Sequence, residues 1–171
     1  MIIDADGHFF ETEEMFQKYM EPSVRNYRPR LLSDDEGHNF WVVDGQTPYK
    51  RPSIKGAGAP GTAAPPGKKI QAARRASVGS QTLSNLKERL YDLDREGIDV
   101  QFLYPSFLLH VNAWSDGTLA MAVCRAYNSW LAEVCKQAPD RLRAVGVVAL
   151  QDPQGAAEEL CRIQELGINS V

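Results

Sequence analysis

Residues 97–105, GIDVQFLYP, decide the fold class of this chain. Gly97 ends the helical pattern that precedes it, an apolar run interrupted at Asp99 and Gln101 follows, and Pro105 closes the run. A short apolar run between two such breakers is typical of a strand that is covered on both faces, as in a parallel sheet. We therefore predict a buried β-strand over 98–105.

The segments on both sides repeat this arrangement of helix and strand. Leu86, Leu90 and Leu93 recur at helical spacing, and Asp152-Pro153 is a helix start with aspartate as N-cap. Strands that alternate with helices indicate parallel βαβ units and an α/β fold. The predicted strands are 1–5, which is short and buried, 98–105, 142–150 and 168–171, and the predicted helices are 11–20, 83–96, 115–138 and 156–166.

Two architectures fit such units, an open doubly wound sheet and a (β/α)8 barrel. A nucleotide-binding open sheet has a glycine-rich turn between a strand and a helix, but GAGAPG at 56–61 follows no predicted strand. A barrel places functional residues at the carboxyl ends of its strands and needs about 250 residues. We therefore predict that 1–171 is a single incomplete domain, the N-terminal half of a TIM-like (β/α)8 barrel.

Two segments interrupt the alternation between the first helix and the second strand. Residues 39–50 alternate in polarity around Asp44-Gly45 and predict a small β-hairpin insertion, whereas 21–32 is predicted to be irregular. Residues 51–81 are rich in glycine, alanine and proline, a composition that buries too little apolar surface to order itself. We interpret 51–81 as a flexible flap over the active site.

Composition excludes several classes of protein. A net charge of −3 gives no basic surface for nucleic acid. The first residues lack the pattern of a secretory signal, and no apolar run is long enough to span a membrane. Cys124, Cys135 and Cys161 lie in predicted helices without a CxxC pair, which predicts buried free thiols and a cytoplasmic location.

Asp6-Gly7-His8 is the strongest candidate for a functional site. Residues two apart in a strand share one face, so both side chains point toward the predicted barrel axis. Carboxylate and imidazole together suit zinc, manganese or iron. The spacing alone leaves an alternative open, in which Asp4 or Asp6 accepts backbone N–H groups and His8 is a structural core residue.

Five further residues are weaker candidates because they lie at or after the ends of predicted strands. Tyr104, Ser106, His110 and Trp114 are candidates for substrate binding, and Glu11 is a candidate hydrogen-bond partner that orients His8. Each also has a structural interpretation: a polar strand end for Tyr104 and Ser106, a core position for His110 and Trp114, and a helix-start acid for Glu11.

Three segments resemble the amidohydrolase-related family that includes aminocarboxymuconate-semialdehyde decarboxylase and the resorcylate decarboxylases. IDADGHFFE at 3–11 is similar to the first strand of that family, and REGIDVQFLYPS at 95–106 is similar to the second. Residues 122–171, with Tyr127-Asn128-Ser129-Trp130 and Pro139-Asp140-Arg141, resemble the third and fourth βα units.

The resemblance implies a barrel enzyme with one divalent metal, zinc as the first choice and manganese, magnesium or iron as alternatives. The family commonly has HxH on its first strand; here Asp6 replaces the first histidine and His8 matches the second. The remaining ligands and the catalytic acid or base would follow Val171, so no catalytic residue is identified within 1–171, and the chain alone is expected to be inactive.

The complete protein is then expected to be a non-oxidative decarboxylase or a hydrolase. Its substrate would be a small aromatic or unsaturated carboxylate, and it would be a homodimer. A rival interpretation is a non-catalytic interaction or assembly module, or the remnant of an enzyme.

Overall fold

The computed structural model describes residues 1–36, 38–51 and 76–171. Within these residues, helices and strands alternate much as the sequence predicts. The strands are β1 (Ile3–His8), β2 (Arg30–Ser33), β3 (Asn39–Val42), β4 (Tyr49–Arg51), β5 (Val100–Tyr104) and β6 (Leu142–Ala144). The helices are α1 (Glu13–Tyr19), α2 (Val78–Gln81), α3 (Leu86–Glu96), α4 (Gly117–Lys136) and α5 (Pro153–Glu165), with 3-10 helices at Arg25–Tyr27 and Leu108–Ala113.

β1, β5 and β6 form a parallel sheet in that order, which confirms the predicted parallel pairing. β1 extends to His8 rather than ending at Ala5, because His8 pairs with Tyr104 and the next amide, Phe9 N–H, donates to the Tyr104 carbonyl. Asp6 and His8 therefore belong to the strand itself, and the carboxyl ends of β1 and β5 lie side by side.

The first strand is not buried as predicted. The side chains of Ile3 and of Ile2, directly before β1, are about half exposed at the edge of the described sheet.

The third and fourth predicted strands are shorter than expected. β6 ends at Ala144 instead of residue 150, and no strand is assigned to 168–171. After Ala144 the backbone changes partner: Val145 N–H still donates to β5, but Gly146 N–H donates to the Ser170 carbonyl at 2.7 Å. That contact places Ser170 beside Gly146 without the repeated backbone hydrogen bonds that define a strand.

Helix ends follow the local chemistry of the sequence. Asp152 caps α5 with its carboxylate and Pro153 is the first helical residue, as predicted. α3 starts at Leu86 rather than Leu83, because Leu83 has a φ of 57°, which is incompatible with a right-handed helix. Gly97 ends α3 with a φ of 74°, also as predicted. No helix among the described residues is both long and apolar enough to cross a membrane.

A second, antiparallel sheet contains β2, β3 and β4. β3 and β4 pair Trp41 with Tyr49 across the turn that holds Gly45, whereas the expectation of an irregular segment is wrong for Arg30–Ser33, which forms β2 by pairing with β3. The description of this sheet as an insertion into a barrel stays a prediction. Trp41 is buried and stacks on Phe107 with ring centroids 4.8 Å apart, which packs the sheet against the residues that follow β5.

The predicted flap falls mostly on residues 52–75, which lie outside the described residues. Its predicted end at residue 81 is wrong, because Val78–Gln81 form α2 with Ser80 and Gln81 fully buried. Ser77 caps this helix, and the Gln81 carbonyl accepts the Phe10 N–H at 2.8 Å. Residues 76–81 are therefore fixed beside the carboxyl end of β1.

Phe9, directly after β1, joins the sheet to α4. Its side chain is fully buried, and its ring lies 6.0 Å from Tyr127 in a stacked arrangement and 5.3 Å from Trp130. α4 supplies much of the core, since its residues on this face are buried. The apolar contacts of Phe9 anchor the end of β1 and thereby fix the backbone that carries His8.

The cysteines differ in exposure. Cys124 is buried and Cys135 is half-buried, but Cys161 is exposed, so the prediction of buried thiols is wrong for Cys161. Cys161 lies on the outer side of α5, which the helical pattern alone did not distinguish from the core side. Burial raises the pKa values of Cys124 and Cys135 to about 12, which leaves almost no reactive thiolate near neutral pH.

We expect a thiol-alkylating reagent at pH 8 to modify Cys161 rapidly in the native protein and Cys124 and Cys135 slowly, because the pKa values of the latter two suppress the thiolate. Peptide mass spectrometry after timed alkylation measures the three rates, and the same reaction in urea is the control in which all three react. Rapid modification of Cys124 in the native protein would contradict the described packing.

Candidate metal and substrate site

Asp6 and His8 meet at the carboxyl end of β1. Their Oδ1 and Nε2 atoms lie 3.3 Å apart, with the imidazole about one quarter exposed and the carboxylate largely exposed. On its other side, the imidazole Nδ1 lies 2.7 Å from the Pro105 carbonyl. The sequence prediction that these two side chains share one face is consistent with this distance.

The Pro105 carbonyl determines which nitrogen of His8 is free to bind. A carbonyl oxygen only accepts hydrogen bonds, so Nδ1 carries the proton that it receives. In the neutral ring, Nε2 then has a lone pair directed at the Asp6 carboxylate, and two acceptors would face each other. A cation between or beside them removes this repulsion, either as a proton on Nε2 or as a bound metal ion.

The alternative interpretation, in which an aspartate of this motif accepts a backbone N–H group, holds for Asp4. Its carboxylate accepts the Asp6 N–H at 3.1 Å and a hydrogen bond from the Gln101 side-chain amide at 2.5 Å. Asp4 is therefore the aspartate that serves the backbone, which leaves the carboxylate of Asp6 directed at His8.

Tyr104 and Ser106 lie on either side of Pro105 and have different environments. The Tyr104 ring lies 5.9 Å from the His8 imidazole, as expected for residues paired across the two strands. The Ser106 hydroxyl donates to the Phe9 carbonyl at 2.7 Å and so joins the ends of β1 and β5. Tyr104 is thus placed beside the candidate metal ligands, whereas Ser106 has a structural contact.

Glu11 is linked to His8 through the backbone segment that follows Pro105. Its carboxylate is almost fully buried and accepts the backbone N–H groups of Ser106, Phe107 and Leu108 at 3.0–3.2 Å. Glu11 thereby holds the segment after Pro105, and it is the Pro105 carbonyl that binds His8. Desolvation raises the pKa of Glu11, and the N–H donors oppose that rise.

His110 and Trp114 line a second region, an aromatic pocket of about 300 Å³. It lies between the Leu108–Ala113 helix and the β3–β4 connection, and its other aromatic walls are Trp41, Tyr49 and Phe107. The exposed His110 ring lies 4.9 Å from Tyr49, and Trp114 is largely buried against Phe107. The four candidates for substrate binding thus divide into Tyr104 and Ser106 at the strand ends and His110 and Trp114 in this pocket.

A different cluster of ligand-type side chains lies in the β2–β3 connection. Asp34, Glu36 and His38 place ligand atoms within 4.8 Å of one another, and among the described residues they are the group of three that meets this distance. His38 Nδ1 lies 3.0 Å from the Asp34 carboxylate, a hydrogen bond that explains the cluster without an ion.

The family of the chain follows from comparison with known proteins. The model of the Amidohydrolase family matches residues 3–169, which is nearly the whole chain. The chain belongs to the amidohydrolase family. The resemblance noted in the three quoted segments is confirmed.

Curated and solved relatives of this amidohydrolase chain include decarboxylases. Gamma-resorcylate decarboxylase from Rhizobium sp. (strain MTP-10005) is 39% identical over 80 residues, which is 46% of this chain and 24% of that enzyme. A dihydroxybenzoic acid decarboxylase from Polaromonas sp. JS666, solved with manganese and the inhibitor 2-nitroresorcinol, has a TM-score of 0.55 at 22% identity, covering 99% of this chain and 37% of that one.

An amidohydrolase from Mycobacterium avium subsp. paratuberculosis K-10 has a TM-score of 0.65 at 22% identity, covering 98% of this chain and 47% of that one. At this identity the structural matches establish a shared fold. This chain spans less than half the length of each of the three relatives. Closure of the barrel stays a prediction.

The sequence of this amidohydrolase chain did not point to two residues that contact the candidate site. Arg89 is 1% exposed and Gln101 is 2% exposed, and they are hydrogen-bonded to each other. A signal was present, because Arg89 lies three residues after Leu86 and four before Leu93, on the apolar stripe of α3. A charged residue on that stripe is buried and must have partners.

We expect Glu11 to make the stability of the protein decrease as pH rises through its titration. A folded-state pKa above the usual value of 4.5 means that the folded protein binds this proton more tightly, so the stabilisation is complete below 4.5 and lost above the folded-state pKa. Urea unfolding of the wild type and of Glu11→Gln between pH 4 and 7 gives the difference between their free energies of unfolding at each pH. Glu14→Gln, at an exposed position of α1, is the control for net charge.

If the contribution of Glu11 to the free energy of unfolding instead increases with pH, the three N–H donors outweigh the desolvation of Glu11.

Proposed function

We propose that the complete protein is a metal-dependent, non-oxidative decarboxylase of a small aromatic carboxylate. The observation that carries the proposal is the pair of acceptor atoms at the end of β1, Asp6 Oδ1 and His8 Nε2, with the Pro105 carbonyl fixing the imidazole behind them. The curated decarboxylase among the relatives favours a carbon–carbon lyase over a hydrolase.

A divalent ion fits these two residues chemically. One carboxylate oxygen and one imidazole nitrogen with a defined lone pair are donors for zinc, manganese or iron. The family resemblance implies that two histidines and an aspartate, which include the remaining ligands and the catalytic acid or base, follow Val171. Zinc is the first choice predicted from the sequence, whereas the Polaromonas relative contains manganese, and both ions belong in the test.

In decarboxylation, the bond between the ring and the carboxylate breaks, carbon dioxide leaves, and the ring carbon retains the electron pair and takes up a proton. A divalent ion would supply a Lewis acid toward the oxygen atoms of the substrate. Asp6 and His8 would hold that ion, and the hydrogen bond from Nδ1 to Pro105 keeps the imidazole in the binding tautomer. We assign no proton transfer to a residue of this chain.

The aromatic pocket beside the strand ends suits the ring of such a substrate. Phe107 belongs to this pocket and lies two residues after Pro105, whose carbonyl accepts from the His8 ring, so one short segment connects the pocket to the imidazole. We propose that His110 and Trp114 contact the ring and that Tyr104 borders the metal. A homodimer and a cytoplasmic location stay predictions from the sequence.

We expect the full-length protein to bind about one equivalent of Mn²⁺ or Zn²⁺, and Asp6→Asn and His8→Ala each to lower the affinity at least 10-fold, because each removes one ligand. Metal analysis after dialysis and titration with Mn²⁺ measure this. The matched control is His38→Ala, a histidine in the other acidic cluster. Loss of metal in His38→Ala with retention in His8→Ala would overturn the ligand assignment.

We expect the metal-loaded full-length protein to release carbon dioxide from a dihydroxybenzoate, and Trp114→Ala to raise KM more than it changes kcat, since the indole would contact the ring and not the reacting atoms. Trapped carbon dioxide and chromatography of the phenol measure both parameters. Lys136→Ala, an exposed change on α4, is the control. Hydrolysis of esters or amides without release of carbon dioxide would replace the lyase by a hydrolase.

A further inference from the structure

The guanidinium of Arg89 lies beneath the residue that carries the candidate imidazole ligand. It donates from Nη2 to the carbonyl of His8 at 3.1 Å, from Nε to the Gln101 side chain at 2.9 Å and from Nη1 to the carbonyl of Ser80 at 3.4 Å. These acceptors belong to β1, β5 and α2. One side chain of α3 therefore connects the three elements that meet at the candidate site.

Gln101 extends the same network to the other aspartate of the motif. Its Oε1 accepts from Arg89, and its Nε2 donates to the Asp4 carboxylate at 2.5 Å. To reach Asp4, the side chain crosses β1 at Gly7, where an added Cβ would overlap it. The glycine between the two candidate ligands thus has a packing reason, and it keeps Gln101 in contact with Arg89.

The contacts of Arg89 require a guanidinium. Burial lowers its pKa to about 10, and the charges of Asp4 and Asp92 oppose that change, so the group stays cationic at neutral pH. Its planar fork donates to several acceptors in different directions from one rigid group, which the single ammonium of lysine cannot reproduce. Lysine at this position would keep the charge and lose part of the network.

We propose that Arg89 is a positioning residue for the metal site, which rests on the function proposed above. His8 is held at two points: the Pro105 carbonyl fixes the ring, and Arg89 fixes the backbone carbonyl from which the side chain projects. Arg89 contacts neither the carboxylate of Asp6 nor the ring of His8 in the described hydrogen bonds. It acts on metal affinity by keeping the two ligand atoms at their separation.

The test compares Mn²⁺ affinity in the full-length wild type, Arg89→Lys and Arg89→Met, measured by the electron paramagnetic resonance signal of free Mn²⁺. We expect both variants to bind about 10-fold more weakly, the usual effect of losing a group that orients a metal ligand. We expect saturating Mn²⁺ to restore kcat close to the wild-type value. Arg95→Lys, on an exposed position of the same helix, is the matched control and should bind Mn²⁺ as the wild type does.

Circular dichroism and urea midpoints establish which variants are folded. Folded Arg89 variants with wild-type Mn²⁺ affinity would overturn the role of Arg89 and leave the metal site intact, whereas a wild type that binds neither Mn²⁺ nor Zn²⁺ would overturn both. If neither Arg89 variant folds, Gln101→Leu replaces them, because it removes one acceptor of Arg89 and no charge. Reduced Mn²⁺ affinity of Gln101→Leu would then support the proposal, and unchanged affinity would overturn it.

Discussion

Everything at the candidate site depends on the pairing of β1 with β5 through their last residues. His8 pairs with Tyr104, Phe9 N–H donates to the Tyr104 carbonyl, and the Pro105 carbonyl accepts from the His8 ring. Parallel pairing places both carboxyl ends at one edge, which is where α/β folds of this kind bind ligands. Without that register, the carbonyl of Pro105 would not reach the imidazole.

Two buried ionisable side chains bind the backbone around this pairing. Glu11 binds the backbone of 106–108 and so holds the strand end that supplies the carbonyl to the ring. Arg89 binds the carbonyl of His8 itself. A buried ionisable group is costly unless it is hydrogen-bonded, and both side chains meet that condition through backbone atoms, with the Gln101 side chain as a further partner of Arg89. The site is therefore attached to the backbone of several elements.

The sequence predicted the parallel βαβ units, the cap at Asp152, the end of α3 at Gly97 and the meeting of Asp6 with His8, because each depends on residues close together in the chain. It did not predict β2, which has no alternating pattern and forms by pairing with β3, or the burial of α2. The contacts of Arg89 and Glu11 also escaped prediction. Their partners are backbone groups distant in sequence, and a backbone carbonyl leaves no signature in residue types.

The glycine at position 7 has a consequence for how this chain can vary. The space that its missing side chain leaves is filled by Gln101, so the two positions share one volume across neighbouring strands. A methyl group at position 7 fits only if the side chain at 101 withdraws, and withdrawal breaks its bonds to Asp4 and Arg89. Positions 7 and 101 should therefore change together. Related sequences with a larger residue at position 7 should have a shorter residue at position 101 and a replacement of the arginine at position 89.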